Sequence, residues 1–181
     1  MWPIIGKNFD PEGFKQYVAG LDLPNAAPWI QFLTLHNTGE PTLAQRPRGF
    51  TYQHMLDLQD FYQNTRGWSG GPALFIDDNP AGIWVFNPLT EPGVHSPSWN
   101  HVSQGIEMLG DFDSEDFTSG RGLAVQQNAV AAIAILSAAI GLDPTTMRLH
   151  REDPGTTHRT CPGASVDKDA FIAAVKAYMG T

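Results

Sequence analysis

The most apolar segment of the chain, residues 123–140, places the strongest constraint on its fold. Its apolar side chains recur at helical spacing, and Gly141 follows as a stop signal. Gln126, Gln127 and Asn128 interrupt the segment, which leaves a purely apolar run shorter than the roughly 20 residues that span a bilayer. The segment is therefore predicted to be a helix buried in a protein core. Its predicted core face consists of Val125, Ala129, Ala132, Ile133, Leu136 and Ile140.

Short apolar runs alternate with helical patterns along the rest of the chain. A run of β-forming residues at 29–35 predicts a buried strand, and two later runs flank the turn Asp78-Asn79-Pro80 as a β-hairpin. Strands interleaved with helices predict a single α/β domain with a central mixed β-sheet flanked by helices. The predicted strands are 29–35, 73–77, 82–86, 105–110 and 148–150, and the predicted helices start at Asp10-Pro11-Glu12 and cover 51–66, 123–140 and 166–179.

Length and charge narrow the class of protein. The 181 residues contain no repeat, so we expect one domain, residues 1–181, in which residues 1–28 form a helical extension packed on the rest. The formal net charge of −8 argues against a nucleic-acid partner and against insertion into membranes. One cysteine excludes an internal disulfide, and the first residues show no signal-peptide pattern. We expect a monomer.

Two histidines and the only cysteine occupy positions that suit a metal site. His36 follows the strand 29–35, His150 ends the strand 148–150, and Cys161 lies in a loop of Thr, Pro and Gly. Two imidazoles and a thiolate suit zinc, which lowers the pKa of bound water to about 7 and polarises a carbonyl. A single cysteine, however, is more often a small buried apolar residue. The residues alone leave the metal site and a structural role open.

Three blocks of sequence carry a resemblance. They are LHNT at 35–38, NHVSQGIEMLG at 100–110 and HREDPGTTHRTCPG at 150–163. In order and separation they resemble the zinc N-acetylmuramoyl-L-alanine amidases, which include phage endolysins of the type-2 amidase fold and the peptidoglycan recognition proteins. The similarity runs from about residue 4 to the C-terminus. It implies an enzyme that hydrolyses the amide between the lactyl group of N-acetylmuramic acid and L-alanine in peptidoglycan.

The resemblance also implies roles for particular residues. His36, His150 and Cys161 would be the ligands of one Zn²⁺. The family often has a lysine two residues before the last ligand, where this chain has Arg159 beside His158. A guanidinium essentially never gives up its proton, whereas an imidazole titrates near neutral pH. We therefore predict that His158 protonates the leaving amine and that Arg159 contacts the substrate or supports the site.

One departure from the family falls on its hairpin. Members usually carry Gly-Tyr-His there, and the tyrosine is thought to aid catalysis. This chain has Gly71-Pro72-Ala73 instead. Neither the proline nor the alanine side chain donates a hydrogen bond, so that role is either empty or filled from elsewhere in the chain.

Further candidates come from the middle block. Glu107 lies among apolar neighbours, where a carboxylate needs a partner. It is predicted to act as the general base for the attacking water or to bond a ligand histidine, with a structural pairing to an arginine as the alternative. By resemblance, the preceding segment flanks the site, and its polar and aromatic residues are predicted to bind substrate, with core packing as the alternative. These residues are His95, Trp99, Asn100 and Ser103, whereas His54 and His101 are predicted to be structural or exposed.

Three other functions compete with this interpretation. Some relatives bind peptidoglycan without cutting it, usually after loss of the cysteine ligand, and the presence of Cys161 favours catalysis. A different zinc peptidase would be expected to carry HExxH, which this chain lacks. A cysteine nucleophile paired with His158 would remain active after metal chelation.

The biological setting has two candidate interpretations. The sequence is most like a small one-domain phage endolysin, which is made in the host cytoplasm and reaches the cell wall when the membrane is opened. A cytoplasmic amidase that recycles muropeptides is the alternative, because such enzymes are also small and carry no export signal.

Overall fold

The computed structural model describes residues 2–180. Within them the strands form one six-stranded mixed sheet in the order β1-β4-β3-β5-β2-β6. The strands are β1 (Lys7–Phe9), β2 (Phe32–Asn37), β3 (Leu74–Ile76), β4 (Ile83–Val85), β5 (Ser103–Met108) and β6 (Arg148–Leu149). The α-helices are α1 (Pro11–Ala19), α2 (Leu23–Ala26), α3 (Tyr52–Asp60), α4 (Gly120–Ile140) and α5 (Lys168–Met179).

The strands β3, β5, β2 and β6 run parallel to one another, whereas β4 runs in the opposite direction and pairs antiparallel with both β3 and the edge strand β1. The β3–β4 pair is the hairpin that the sequence predicts. Because parallel strands share one carboxyl edge, residues at the ends of β2, β5 and β6 are brought together. The predicted α/β fold with a mixed sheet is confirmed, and this edge is where the candidate site lies.

The long helix α4 forms the centre of the core. It packs against the sheet and against α1 and α5, and Val125, Ala129 and Ile133 are fully buried. By length and composition α4 would also suit a membrane span, but 56% of its most apolar window is buried inside the fold. The prediction of a buried core helix is confirmed, with the start moved three residues earlier, to Gly120.

The sequence predicts a helical N-terminal extension, but the structure also contains a β-strand there. Helix α1 begins after Asp10, whose carboxylate accepts a hydrogen bond from the Gly13 amide at 2.7 Å, as expected of an N-cap. Before it, however, β1 pairs with β4 and extends the sheet. A three-residue edge strand with little burial carries no alternating pattern, so the sequence gives no signal for it.

Several element boundaries near the site differ from the prediction. Strand β2 extends to Asn37, so His36 lies inside the strand and not just past its end, because its backbone stays in register with Glu107 of β5. Strand β5 begins at Ser103 and not at residue 105. Helix α3 ends at Asp60, and a π-helical turn, Phe61–Thr65, completes the predicted 51–66 segment.

Candidate metal centre

The site is built on one face of the sheet at its carboxyl edge. Side chains alternate across a strand, so Ser103, Gly105 and Glu107 of β5 share a face while Ile106 and Met108 face the other way. His36 is the register partner of Glu107 and lies on the same face. His150 follows β6, which pairs with β2 on its other side. Three neighbouring parallel strands therefore supply the polar groups of one site.

His36, His150 and Cys161 come together as a cluster of potential metal ligands. Their ligand atoms all lie within 4.8 Å of one another, and all three residues are buried. The ring centroids of His36 and His150 are 4.3 Å apart. Two imidazole nitrogens and a thiol sulfur are donors that zinc prefers. The residues present therefore fit a zinc ion.

The protonation of the two imidazoles suits a metal. Burial, followed by the charges of neighbouring histidines, lowers the pKa of His36 well below its usual range. Burial also lowers the pKa of His150 to about 4. Both rings are thus neutral at pH 7, and each has one bare nitrogen. The Thr156 hydroxyl lies 2.9 Å from Nε2 of His150, which leaves Nδ1 of that ring for a metal.

The loop that carries Cys161 is held by Arg151, which the sequence analysis did not single out. The Arg151 amide donates to the Cys161 carbonyl at 2.8 Å, and its guanidinium donates to the carbonyls of Gly163 at 2.8 Å and Val166 at 2.9 Å. These bonds fix the thiol against the turn that carries His150. Burial and then the charge of Glu107 raise the pKa of Cys161, so a bound cation is needed to favour its thiolate.

A cavity of about 440 Å³ opens over the ligand cluster, and Glu107 forms part of its wall. Burial raises the pKa of the Glu107 carboxyl to about 8. Within residues 2–180 no ion pair joins Glu107 to an arginine or a lysine. The described contacts therefore do not support the alternative that Glu107 pairs with an arginine. A second cavity of about 230 Å³ adjoins the first and shares Glu107, Tyr62 and Phe61 with it. Together the two cavities form one groove that runs past Glu107.

The two candidate cations are placed differently. His158 lines the cavity, and its ring centroid lies 5.5 Å from that of His150. The His158 amide donates to the Thr156 hydroxyl at 3.1 Å, which ties it to the turn of the ligand. Arg159 is exposed and does not line the cavity. This placement favours His158 over Arg159 for the predicted proton-transfer role.

Of the four predicted substrate-binding residues, only His95 lines the cavity. Ser103 is fully buried, and its hydroxyl donates to the Trp99 carbonyl and accepts from the Thr34 hydroxyl. The Asn100 side chain accepts from the amides of His95 and Ser96, each at 2.8 Å. Trp99 packs edge-on against Phe32. In the described geometry these three side chains support the segment that carries His95, and direct contact with a substrate stays a prediction.

Pro72 lines the cavity where the family has its tyrosine, and it offers no hydroxyl. Tyr62 lines the same cavity from the π-helical turn, and its ring lies against Gly71, where an added Cβ would come within 2.8 Å of it. Burial raises the pKa of Tyr62, so its phenol stays neutral. The sequence pattern places Tyr62 on the core stripe of a regular helix. Its ring does pack against the core, edge-on to Phe86 and stacked on Trp68, and it also lines the cavity.

Asp153 connects the two loops of the site and was also missed by the sequence analysis. Its carboxylate accepts hydrogen bonds from the Ser96 hydroxyl, from the Ser98 amide at 3.1 Å and from the Gly155 amide at 2.7 Å. Burial raises its pKa, but these bonds outweigh burial and lower the pKa of Asp153 to about 2. The Ser–Pro–Ser stretch before Asn100 is thereby fastened to the turn that carries His150.

Replacing Asp153 by asparagine is expected to lower the free energy of unfolding of the metal-free protein at pH 7 by about 2 kcal/mol, from the change in pKa between the unfolded and folded chain. The folded pKa is depressed, so this stabilisation is present above about pH 4 and is lost as the pH falls towards 2. Urea unfolding at pH 7, 4 and 2.5 measures it. A difference between the wild type and Asp153→Asn that stays constant over this range would contradict the assignment.

Comparison with known proteins agrees with the fold. The family model described as N-acetylmuramoyl-L-alanine amidase matches residues 25–164, which is most of the chain. The chain therefore belongs to the N-acetylmuramoyl-L-alanine amidase family, and the predicted class, an amidase acting on peptidoglycan, is confirmed.

Three similar proteins illustrate the relationship. Peptidoglycan-recognition protein SC2 of Drosophila melanogaster is 22% identical over 77% of this chain and 72% of its own length. Peptidoglycan-recognition protein LB of the same species is 34% identical over 61 residues, which are 34% of this chain and only 26% of that relative. The solved amidase LysC from Clostridium intestinale URNW matches with a TM-score of 0.60 and 21% identity, covering 84% of this chain and 86% of that one. The structural match supports the fold.

Proposed function

We propose that this chain is a zinc-dependent hydrolase that cleaves the amide between N-acetylmuramic acid and the L-alanine of the stem peptide. The observation that carries the proposal is the cluster of His36, His150 and Cys161, which lines the cavity of about 440 Å³ and has its ligand atoms within 4.8 Å of one another. The family to which the chain belongs indicates which bond is cleaved, and the types of ligand atom indicate that the metal is zinc. A zinc ion held there would polarise the substrate carbonyl and lower the pKa of water.

Glu107 is the general base in this proposal. It lies on the cavity wall beside His36, and a base must be ionised to take a proton from the attacking water. Burial raises its pKa to about 8 in the metal-free protein, so a cation nearby would favour the ionised carboxylate at neutral pH. The proton accepted on a Glu107 oxygen is released to solvent once the amine has left.

His158 is the proposed acid for the leaving amine. It stands at the rim of the cavity, close to the ligand His150, and its side chain is exposed. Tyr62 adds a neutral hydroxyl to the wall of the same cavity, where it can donate to a substrate oxygen. We propose no proton-transfer role for Arg159, which is left to contact the substrate from outside the cavity.

Replacing His158 by alanine is expected to lower turnover by ~100-fold or more, as for loss of an acid–base group, while zinc stays bound. The matched change Arg159→Ala is expected to lower it much less, because Arg159 lies outside the cavity wall. Turnover on a purified muropeptide and zinc content by elemental analysis measure both effects. The reverse order of the two losses would move the role to Arg159.

For the biological role we propose a phage endolysin that causes lysis. In that role the chain acts as a monomer on the cell wall and neither inserts into membranes nor binds nucleic acid. The proposal is supported by the structural likeness to endolysin amidases, by the open groove and by the net charge of −8. An amidase that recycles muropeptides is distinguished by substrate. We expect release of stem peptides from intact sacculi as well as from soluble muropeptides, and activity confined to the soluble substrate would favour recycling.

The zinc requirement is tested by measuring the release of soluble dye-labelled fragments from dye-labelled sacculi. We expect release to stop after chelation and to return when zinc is added to the dialysed protein. Release that continues after complete removal of metal would contradict the proposal and favour a thiol enzyme.

A further inference from the structure

His95 lies between a ligand histidine and a backbone carbonyl. Its Nδ1 is 3.0 Å from Nε2 of His36, and its own Nε2 is 3.1 Å from the Ser103 carbonyl oxygen. The rings of His36 and His95 are nearly perpendicular, and both are buried, with 3% and 8% exposure. The three groups form a continuous hydrogen-bonded chain that runs from the ligand cluster to β5.

The direction of these hydrogen bonds follows from the Ser103 carbonyl, the last of the three groups. A carbonyl oxygen only accepts hydrogen bonds, and the Ser103 hydroxyl, 3.4 Å from the same nitrogen, already donates to the Trp99 carbonyl, so Nε2 of His95 carries the proton. A buried neutral imidazole has one proton, which leaves Nδ1 of His95 as an acceptor. His36 must then donate from its Nε2. By elimination, Nδ1 of His36 is bare and is the nitrogen available to a metal.

The surrounding chain is shaped to hold His95 in this place. Gly105 lies beneath its ring, and a Cβ there would come within 2.5 Å of Cγ of His95. Asn100 binds the His95 amide, and Asp153 fastens the next residue, Ser96. The glycine of the GIE motif thus makes room for an imidazole next to the ligand. Through these contacts the segment 95–103 supports the proposed metal centre.

We propose that His95 is a positioning residue of the metal centre, which fixes His36 in the tautomer that presents Nδ1 to the metal. The inference rests on the proposed zinc site. The other histidine ligand also has an outer partner, since the Thr156 hydroxyl lies 2.9 Å from Nε2 of His150 and occupies that nitrogen. Outer partners of this kind orient a ligand and raise its basicity, and their loss typically costs 10–100-fold in metal affinity.

The first test reads the tautomers directly. Long-range ¹H–¹⁵N NMR of the full chain with ¹⁵N-labelled histidine is recorded without metal and with zinc, and single-histidine variants assign the rings. We expect His36 to carry its proton on Nε2 in both states and His95 to carry its proton on Nε2. A proton on Nδ1 of His36, or zinc bound through its Nε2, would overturn the proposal.

The second test measures zinc affinity by competition with a chromophoric chelator. We expect His95→Leu, which removes the acceptor, to bind zinc 10–100-fold more weakly than the wild type. In His95→Asn the side-chain oxygen can take the place of Nδ1, so its affinity should be closer to that of the wild type. The exposed His101→Leu is the matched control and should bind normally.

The outcomes separate the two proposals. Equal affinity in wild type, His95→Leu and His95→Asn would overturn the positioning role while leaving the zinc site intact. A wild-type chain that binds no zinc would overturn the proposed function, and the tautomers of the metal-free protein would still decide whether His95 orients His36. Should His95→Leu fail to fold, the NMR measurement on the wild type decides the question alone.

Discussion

Replacing Cys161 by serine is expected to remove zinc and activity together. The thiolate is a soft ligand, and a serine hydroxyl is a poor substitute for it at a site completed by His36 and His150. We expect zinc affinity to fall by more than ~100-fold, beyond the range for loss of an outer contact, and turnover to fall to background. Zinc content after dialysis and release of stem peptides from sacculi measure the two effects.

The control for this change uses another donor at the same position. Cys161→Asp places a carboxylate there, which is also a zinc ligand in proteins, so it should retain more metal than Cys161→Ser. Circular dichroism checks that both variants keep the fold. Full zinc retention and full activity in Cys161→Ser would contradict the ligand assignment.

Glu107→Gln is expected to have the second largest effect. Glutamine keeps the size of the side chain but cannot accept a proton, so turnover should fall by ~10²–10⁴-fold, as for loss of a general base. Zinc should remain at one ion per chain, because Glu107 is not among the clustered ligands. Single-turnover rates on a purified muropeptide, together with zinc content, measure the change.

Glu91→Gln is the matched control for Glu107→Gln. Glu91 is an exposed carboxylate that lines neither cavity, so its replacement should leave turnover unchanged. A Glu107→Gln variant with wild-type turnover would exclude Glu107 as the base. Loss of zinc from Glu107→Gln would instead indicate that Glu107 helps to hold the metal.

The sequence predicts the main elements well where burial sets the pattern. Helix α4 is a long apolar segment, and the strands β2 to β5 place apolar side chains in the core, so their hydrophobic spacing is visible in the residues themselves. Strand β1 is missed because Lys7–Phe9 is short and largely exposed, and only its pairing with β4 defines it. The position of His36 is misjudged for a related reason, since a polar residue inside a strand resembles the end of one.

The candidate site is predicted less completely than the fold. His36, His150, Cys161 and Glu107 carry chemistry in their residue types, and the structure brings them to one cavity. The hydrogen bonds that organise them cannot be deduced from spacing, because they join residues that are distant in the chain. His95 and His36 are 59 positions apart, and their contact exists only after β2 and β5 have paired.

Tyr62 shows a different limit. At the sequence level it belongs to the apolar stripe of a predicted helix, together with Met55. Met55 is indeed fully buried. Tyr62, in the π-helical turn after Asp60, packs against the core as that stripe predicts, and it also lines the cavity. The spacing of the residues indicates the core contact but not the contact with the cavity.

Mass spectrometry of the products from purified peptidoglycan, with and without a chelator, tests the central claim most directly. We expect free stem peptides with a new amino terminus on L-alanine, which disappear on chelation and return when zinc is restored. Intact peptidoglycan that nonetheless carries the protein down on sedimentation would contradict the account, and would make the chain a module that recognises the wall without cutting it.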